Sequence, residues 1–324
     1  QKFENYFPKL EEFATKIFEK VKMNNRTRYL SLCSYLKDKH QIMVKDMLPE
    51  ENKPFSKIFF PNKGEFHLSD LLNLETKKLF TAALIAQLEA DDIIEEYLDE
   101  FSFPSETSRK VSKVALLNYT GAAIIMPYEI FFHECVKKHR YDLELLQSTF
   151  AVSFEQVCHR VTCLNSSNPK LRGIPLHMIR VDRSGNVSKR FSLSGIELPR
   201  LSGACPKWNV YSAFSNPGKI SAAVSKMTDG EKYVCLARTV EKGISKYGEE
   251  KSLLSIGLGC QIKYAKDFVY ADGLNLNDEK SESKIGVSCR KCDRLDCSQR
   301  AFPPDTQNYD VNINQRGVSI FVNS

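Results

Sequence analysis

The sequence lacks the segments that would place it in a membrane or direct it out of the cell. No apolar stretch approaches the roughly 18 residues that a bilayer-spanning helix needs. The amino terminus has no basic, then apolar, then small-residue pattern of a secretory signal. Gly and Pro, at 15 and 13 of 324 residues, are too few for a fibrous or low-complexity chain. We therefore expect a soluble, cytoplasmic protein of roughly two domains with no membrane partner.

Motifs for catalysis are also missing. There is no G-x-S-x-G nucleophile elbow, and SIGLGCQ has G-x-G without the third Gly or the Lys of a phosphate loop. A zinc peptidase would need H-E-x-x-H, and the nearest text is His133-Glu134-Cys135-Val136-Lys137, where Lys replaces the second His. The sequence thus predicts no catalytic residues and no enzyme, with a metal-dependent peptidase as the alternative.

The periodicity changes along the chain. From about Leu71 to Leu164 the apolar spacing is helical, after a predicted small hairpin in KIFFPNKGEFHLSD. The stretch LNSSNPKLRGIP then has the composition of a linker, and HMIRVDRSGNVSKRFS, EKYVCLARTV and SLLSIGLGCQI alternate as strands do. We predict an α+β protein with a mainly helical domain over 1–164 and a mixed, mostly antiparallel domain over 165–324.

Ten cysteines are present, and three of them lie within nine residues of GVSCRKCDRLDCSQRAFPP. Disulfides are rare in the cytosol, where clustered thiols more often bind metal. The spacing Cys289-x2-Cys292-x4-Cys297 allows one loop to supply three ligands, which leaves a fourth position open. Cys205, in the Gly- and Pro-containing loop SGACPKW, can fill it. Cys235 and Cys260 follow strand-like alternation and are better explained as buried apolar residues.

Spacing does not decide between zinc and an iron-sulfur cluster. The nearby cations would offset the charge of a thiolate-ligated cluster, although two aspartates partly cancel them. These cations are Arg290, Lys291, Arg294 and Arg300. The residues alone therefore do not identify which metal the cysteines would bind.

A helix, turn and helix outline occurs in DLELLQSTFAVSFEQVCHRVTCL, as in DNA-reading motifs. Its second helix offers only Arg160 as a cation besides His159, whereas phosphate contacts need more positive charge. The formal net charge of +6 permits an anionic ligand without requiring one. We do not expect this segment to read DNA.

Five segments, in order, resemble the short-chain fatty acyl-CoA regulators, a family of bacterial transcription factors that includes the propionate and methylcitrate-cycle regulators. They are MPYE, FAVSFEQVCHRVTCL, GIPLHMIRVDRSGNVSKRFS, SGACPKWNVYSAF and CRKCDRLDCSQRAFPP. The resemblance covers about Leu71 to Pro304. It implies a helical domain like ImmA/IrrE metallopeptidases, a carboxyl-terminal sensor domain, and a separate amino-terminal helix-turn-helix that this chain lacks. A peptidase of the ImmA/IrrE type is then the alternative function.

The resemblance also implies a ligand, a cofactor and an assembly. The effector would be a short-chain acyl-CoA, the target would be DNA through the missing domain, and the regulator would be a homo-oligomer such as a dimer. The cofactor would be a 4Fe-4S cluster, with zinc as second choice. By position, its ligands would be Cys205, Cys289, Cys292 and Cys297.

Coenzyme A needs cations for its phosphates and a flat wall for adenine. One predicted hairpin and the segment after it supply both kinds of side chain. The predicted ligand contacts are Arg180, Arg183, Lys189, Arg190, Trp208 and Asn209.

Overall fold

The computed structural model describes residues 3–21, 27–47, 55–199, 203–243, 248, 251–294, 296–305, 313–314, 317, 319 and 321. The chain divides into two units. The first comprises Gln1–His139, Leu143–Gly173 and Gly243–Lys251, and the second comprises Arg140–Asp142, Ile174–Lys242 and Ser252–Ser324. The predicted domain limits of 1–164 and 165–324 stay a prediction.

The first unit is mainly helical, as its periodicity indicates. Its helices are α1 (Pro8–Val21), α2 (Arg28–His40), α3 (Leu74–Glu89), α4 (Asp91–Asp99), α5 (Glu106–Ile125), α6 (Tyr128–Phe132), α7 (Leu143–Phe150) and α8 (Phe154–Val161). A π-helical segment, His133–Lys138, continues α6. The side chains of Asn73, Ser105 and Ser153 accept backbone N–H groups at the starts of α3, α5 and α8, which satisfies donors that a helix leaves unpaired.

A small sheet accompanies these helices. It consists of β1 (Met43–Met47), β2 (Lys57–Phe60) and β3 (Glu65–Ser69), in the order β1-β3-β2. β2 and β3 are antiparallel and joined around Gly64, whose φ of 61° places it in the left-handed region that glycine tolerates. β1 runs parallel to β3.

The second unit is built on a mixed sheet. Its elements are β4 (Leu176–Asp182), β5 (Val187–Ser192), α9 (Asn209–Ser212), β6 (Ser221–Lys226), β7 (Lys232–Lys242), β8 (Ser252–Gln261) and β9 (Ser283–Lys284). The strand order is β5-β4-β8-β7-β6-β9, and neighbours are antiparallel except β6 and β9. The predicted α+β class is confirmed.

Gly257 of β8 determines how closely α9 approaches this sheet. A Cβ at Gly257 would come within 2.4 Å of Val210 Cγ1 and 2.9 Å of Ile179 Cγ2, so only glycine allows the helix to approach this closely. Val210 is fully buried. The loop that carries Cys205 leads directly into α9, and its position is therefore fixed by the same packing.

Within the described ranges, no single helix is both long and apolar enough to cross a bilayer. The bent pair Glu106–Ile125 and Tyr128–Lys138, which turns by 71°, meets that criterion only when taken together.

Candidate metal centre

Cys205 lies in a tight loop before α9. The backbone N–H of Trp208 donates to the carbonyl of Cys205 at 3.0 Å, which turns the chain immediately after the cysteine. Trp208, 3% exposed, and Cys205, 7% exposed, belong to one apolar cluster of the second unit. The Cys205 thiol is therefore fixed by packing in the apolar cluster that also contains residues of the sheet.

The other three cysteines follow β9 in a loop stabilised by backbone turns. Lys291 N–H donates to the Ser288 carbonyl at 3.2 Å, and Arg300 N–H donates to the Cys297 carbonyl at 3.2 Å. Cys292 is buried, whereas Cys289 and Cys297 are half-buried. Just before the loop, Ile285 and Val287 enter the apolar cluster that contains Cys205.

Gly286 is the point at which the two cysteine segments meet. Its backbone hydrogen-bonds to the Cys205 thiol, and a Cβ at this position would lie 2.9 Å from Cys292 Sγ and 3.0 Å from Cys292 Cβ. A larger residue would have to displace Cys292. Sequence reasoning missed this glycine because its role depends on a contact with a distant loop.

All four predicted thiols line one cavity. Its volume is about 250 Å³, counting the part open to solvent, and its lining consists of Cys205, Pro206, Ser288, Cys289, Cys292, Cys297 and Arg300. In the described part of the chain, no group of three or more His, Cys, Asp or Glu side chains has the geometry to hold a single metal ion. Four soft donors around one space nevertheless match the chemistry of a thiolate-ligated centre.

Backbone N–H groups point at these sulfur atoms. Ala301 N–H donates to Cys289 Sγ at 3.5 Å. Burial raises the pKa of the Cys205 thiol, and hydrogen bonds from the backbone of Gly286 and Lys207 act in the opposite direction. Such N–H···S contacts are the interactions that stabilise metal-bound thiolates and tune their centre.

The predicted acyl-CoA contacts are distributed over both faces of the β4–β5 hairpin. Arg180 pairs with Lys189 and Ile179 pairs with Arg190 in the strand register, so Arg180 and Lys189 share one face and Arg190 lies on the other. Arg180 Nε donates to Ser188 Oγ at 2.9 Å, and Arg190 Nη1 donates to the Pro199 carbonyl at 2.9 Å. The turn between the strands carries Arg183, which is exposed.

The two remaining predicted contacts lie in the core of the second unit. The Trp208 and His177 ring centroids are 6.0 Å apart. Asn209 Nδ2 donates to the carbonyls of Ser221 and Cys235 at 3.2 and 3.0 Å. Both side chains have a structural task here, and their contact with a ligand stays a prediction.

Sequence reasoning missed Arg238 on β7. Both Arg238 and Arg180 pair with Ile256 of β8, from opposite sides, so the two guanidinium-bearing residues share a sheet face. The detectable signal was an Arg that interrupts the apolar alternation of EKYVCLARTV.

In the first unit, α3 is the helix that would carry a peptidase motif, and it packs closely against α5. Ala83 of α3 faces Gly121 of α5, where a Cβ would come within 2.9 Å of the Ala83 backbone nitrogen. His133 is exposed, and Glu134 pairs with Lys138 and His139 at 3.0 and 3.3 Å. Lys137 stands where H-E-x-x-H needs its second His, and α3 contains no His at all, so neither place has the motif of a zinc peptidase.

The predicted helix-turn-helix outline corresponds to α7 and α8. Ser153 and Gln156 form a capping box at the start of α8. The one Arg of α8, Arg160, is 1% exposed and pairs in a fork with Glu11 at 2.6 and 2.7 Å. Arg160 is therefore not available to a phosphate, and the expectation that this segment does not read DNA stays a prediction.

Comparisons with known proteins agree on the family. Residues 165–321 match the short-chain fatty acyl coenzyme A regulator, C-terminal family, and residues 42–162 match the IrrE N-terminal-like domain. The chain is 33% identical over 321 residues to the HTH-type transcriptional regulator RamB of Mycobacterium tuberculosis, covering 98% of this chain and 67% of RamB.

Two further transcription regulators are similar to this chain. The propionyl-CoA carboxylase regulator of Cereibacter sphaeroides is 38% identical over 234 residues, which is 72% of this chain and 50% of the relative. The HTH-type transcriptional regulator PrpR of M. tuberculosis is 32% identical over 302 residues, which is 92% of this chain and 61% of PrpR.

The fold is shared with a Mycobacterium tuberculosis transcriptional regulator of known structure, at a TM-score of 0.90 and 30% identity. The match covers 99% of this chain and 96% of that chain. The family resemblance in the sequence is thereby confirmed: this chain belongs to the short-chain fatty acyl coenzyme A regulators.

Proposed function

We propose that this chain is the ligand-sensing portion of a cytoplasmic transcription regulator. In this proposal it binds a short-chain acyl-CoA and holds a 4Fe-4S cluster through Cys205, Cys289, Cys292 and Cys297. The observation that carries the proposal is the cavity lined by all four thiols, which come from two distant segments. We assign DNA binding to a helix-turn-helix domain of a homo-oligomeric regulator, in line with the relatives' names.

The choice of a 4Fe-4S cluster over a single zinc ion rests on the family resemblance. A tetrahedral zinc site with Zn–S bonds of about 2.3 Å brings its sulfur atoms within about 4 Å of one another. In the part of the chain that the structure describes, no three His, Cys, Asp or Glu side chains are placed to hold a metal ion, although the four predicted thiols line one cavity.

The cluster would act on the fold as well as on signalling. Because it can bind only when both cysteine segments are in place, its binding free energy adds to the stability of the second unit. We propose that the cluster has either a structural role or a redox-sensing role.

The decisive variant is Cys292→Ser. Anaerobically purified wild-type protein should be brown, with absorbance near roughly 400 nm from thiolate-ligated iron, and the variant should lose this colour while the helices of the first unit stay folded by circular dichroism. Cys33→Ser, which changes a half-buried thiol of α2 in the first unit, is the matched control and should keep the colour. Colourless wild-type protein with stoichiometric zinc would reject the cluster.

The acyl-CoA assignment is tested by calorimetry with propionyl-CoA and free coenzyme A. Lys189→Gln should weaken binding roughly tenfold or more, because a hydrogen bond to a charged group contributes about 1.5–3 kcal/mol. Lys219→Gln, at an exposed cation of the same unit, should leave the affinity unchanged. The absence of heat with every short acyl-CoA would remove this part of the proposal.

A metal-dependent peptidase of the ImmA/IrrE type is the competing function, and the lack of an H-E-x-x-H motif in the sequence counts against it. We propose that the chain is not an enzyme. Turnover of a peptide substrate that a chelator abolishes would reverse this conclusion.

A further inference from the structure

Arg300 organises the loop that carries three of the four cysteines. Its side chain is 6% exposed. The two terminal nitrogens donate to four backbone carbonyls, those of Cys289, Cys292, Arg294 and Phe302. The contacts to Cys289 and Cys292 are 2.9 and 2.7 Å long. One guanidinium therefore connects both ends of the Cys289–Cys292 turn to the chain after it.

A count of donors leaves one N–H unused. A guanidinium carries five N–H donors in a fixed fork, and the four on Nη1 and Nη2 have the four carbonyls as acceptors. Within the described residues, Arg300 Nε is buried and has no hydrogen-bond partner. A buried donor without an acceptor costs about 1–3 kcal/mol, and more when the group is charged.

The position of this residue indicates which acceptor is missing. Arg300 lines the same cavity as the four thiols, and we place the missing acceptor inside that cavity. Four thiolates and an inorganic core carry net negative charge, which a buried cation stabilises strongly in a region of low dielectric.

We infer that Arg300 is a positioning residue for the cluster and that its Nε–H donates to a sulfur atom of the bound centre. This inference rests on the proposed function. Reduction adds one electron to the centre and breaks no bond, so the reduced state is more negative than the oxidised one. A cationic hydrogen-bond donor favours the reduced state, and Arg300 therefore raises the midpoint potential.

The test is a redox titration of the loaded protein with dithionite and mediators, followed by electron paramagnetic resonance. Arg300→Gln should lower the midpoint potential by about 59 mV or more, which corresponds to a tenfold change in a one-electron equilibrium. The matched control is Arg290→Gln, in the same loop, whose guanidinium is half exposed, 3.5 Å from Asp305 and 4.8 Å from the Phe302 ring centroid. It should shift the potential by much less.

If Arg300→Gln fails to bind the cluster, a second measurement on the wild-type protein tests the same contact. In wild-type protein labelled with guanidino-¹⁵N arginine, the reduced centre should show a hyperfine coupling to ¹⁵N, and Arg300→Lys should remove it. An unchanged potential in Arg300→Gln, or no ¹⁵N coupling in the wild type, would overturn the inference alone. Wild-type protein without iron and sulfide would overturn both the inference and the proposed cluster.

Discussion

His177 makes the stability of the second unit depend on pH. The ring lies on β4 and is fully buried, with Nδ1 2.8 Å from Ser194 Oγ and Nε2 3.6 Å from Cys235 Sγ. Gly259 leaves room for it, since a Cβ there would come within 2.7 Å of the ring. Burial lowers the pKa of His177 to about 3.

The titratable groups that pack against His177 carry no negative charge that would stabilise an imidazolium. Burial raises the pKa of Cys235 to about 11 and the pKa of Tyr233, whose ring centroid is 5.7 Å away, to about 12. Both are neutral between pH 4 and 7. The unfolded chain, with a His pKa of about 6.5, therefore takes up a proton that the folded unit does not.

The sign and size of the effect follow from this difference. The stabilisation from the neutral ring is fully present above pH 6.5 and is lost as the pH falls towards 3. At about 1.36 kcal/mol per pKa unit, the loss is about 2 kcal/mol at pH 5 and about 3 kcal/mol at pH 4.

The assay is urea unfolding between pH 4.5 and 7.5, followed by the fluorescence of Trp208. This residue is the only tryptophan of the chain and lies in the second unit, so the signal reports that unit alone. His177→Gln should reduce the loss of stability between pH 7 and 5 by about 2 kcal/mol, whereas His133→Gln, at an exposed ring in the first unit, should not. Equal pH dependence in wild type and His177→Gln would show that the buried ring of His177 is not the source of the pH-dependent stability.

Two further predictions concern Gly286 and Glu11. Gly286→Ala places a methyl group 2.9 Å from Cys292 Sγ; overpacking of about 1–3 kcal/mol should speed the loss of iron to a chelator roughly tenfold or more, while Gly273→Ala, with nothing within 4 Å of its Cβ, should leave the rate unchanged. Equal rates in the two variants would contradict this packing. Glu11→Gln leaves the buried guanidinium of Arg160 without a carboxylate and should cost about 3–5 kcal/mol in the unfolding of the first unit, followed by circular dichroism. Glu12→Gln, which changes an exposed neighbour paired with Lys16, is the control, and a similar loss in both variants would contradict the account.

The sequence was most informative where a local rule determines the structure. Ser153 and Gln156 form the capping box that their spacing indicates, and the alternation in SLLSIGLGCQI corresponds to β8. Such features need only neighbours a few residues away. The α+β class follows from the same local patterns.

Other features depend on contacts between distant segments. The pairing of β1 with β3 is parallel and separates residues 43–47 from 65–69 along the chain, so no local turn specifies it. The role of Arg300 was also not predictable, because the sequence indicates a cation near the cysteines but not which carbonyls its side chain binds. The partner of Arg160 is Glu11, 149 positions away.

Quantitative analysis of iron, acid-labile sulfide and zinc in anaerobically purified protein decides whether the four cysteines hold a 4Fe-4S cluster. We expect about four iron and about four sulfide per chain, both lost in Cys205→Ser and in Cys292→Ser. One zinc per chain without sulfide, or a wild-type iron content that survives removal of either thiol, would contradict it.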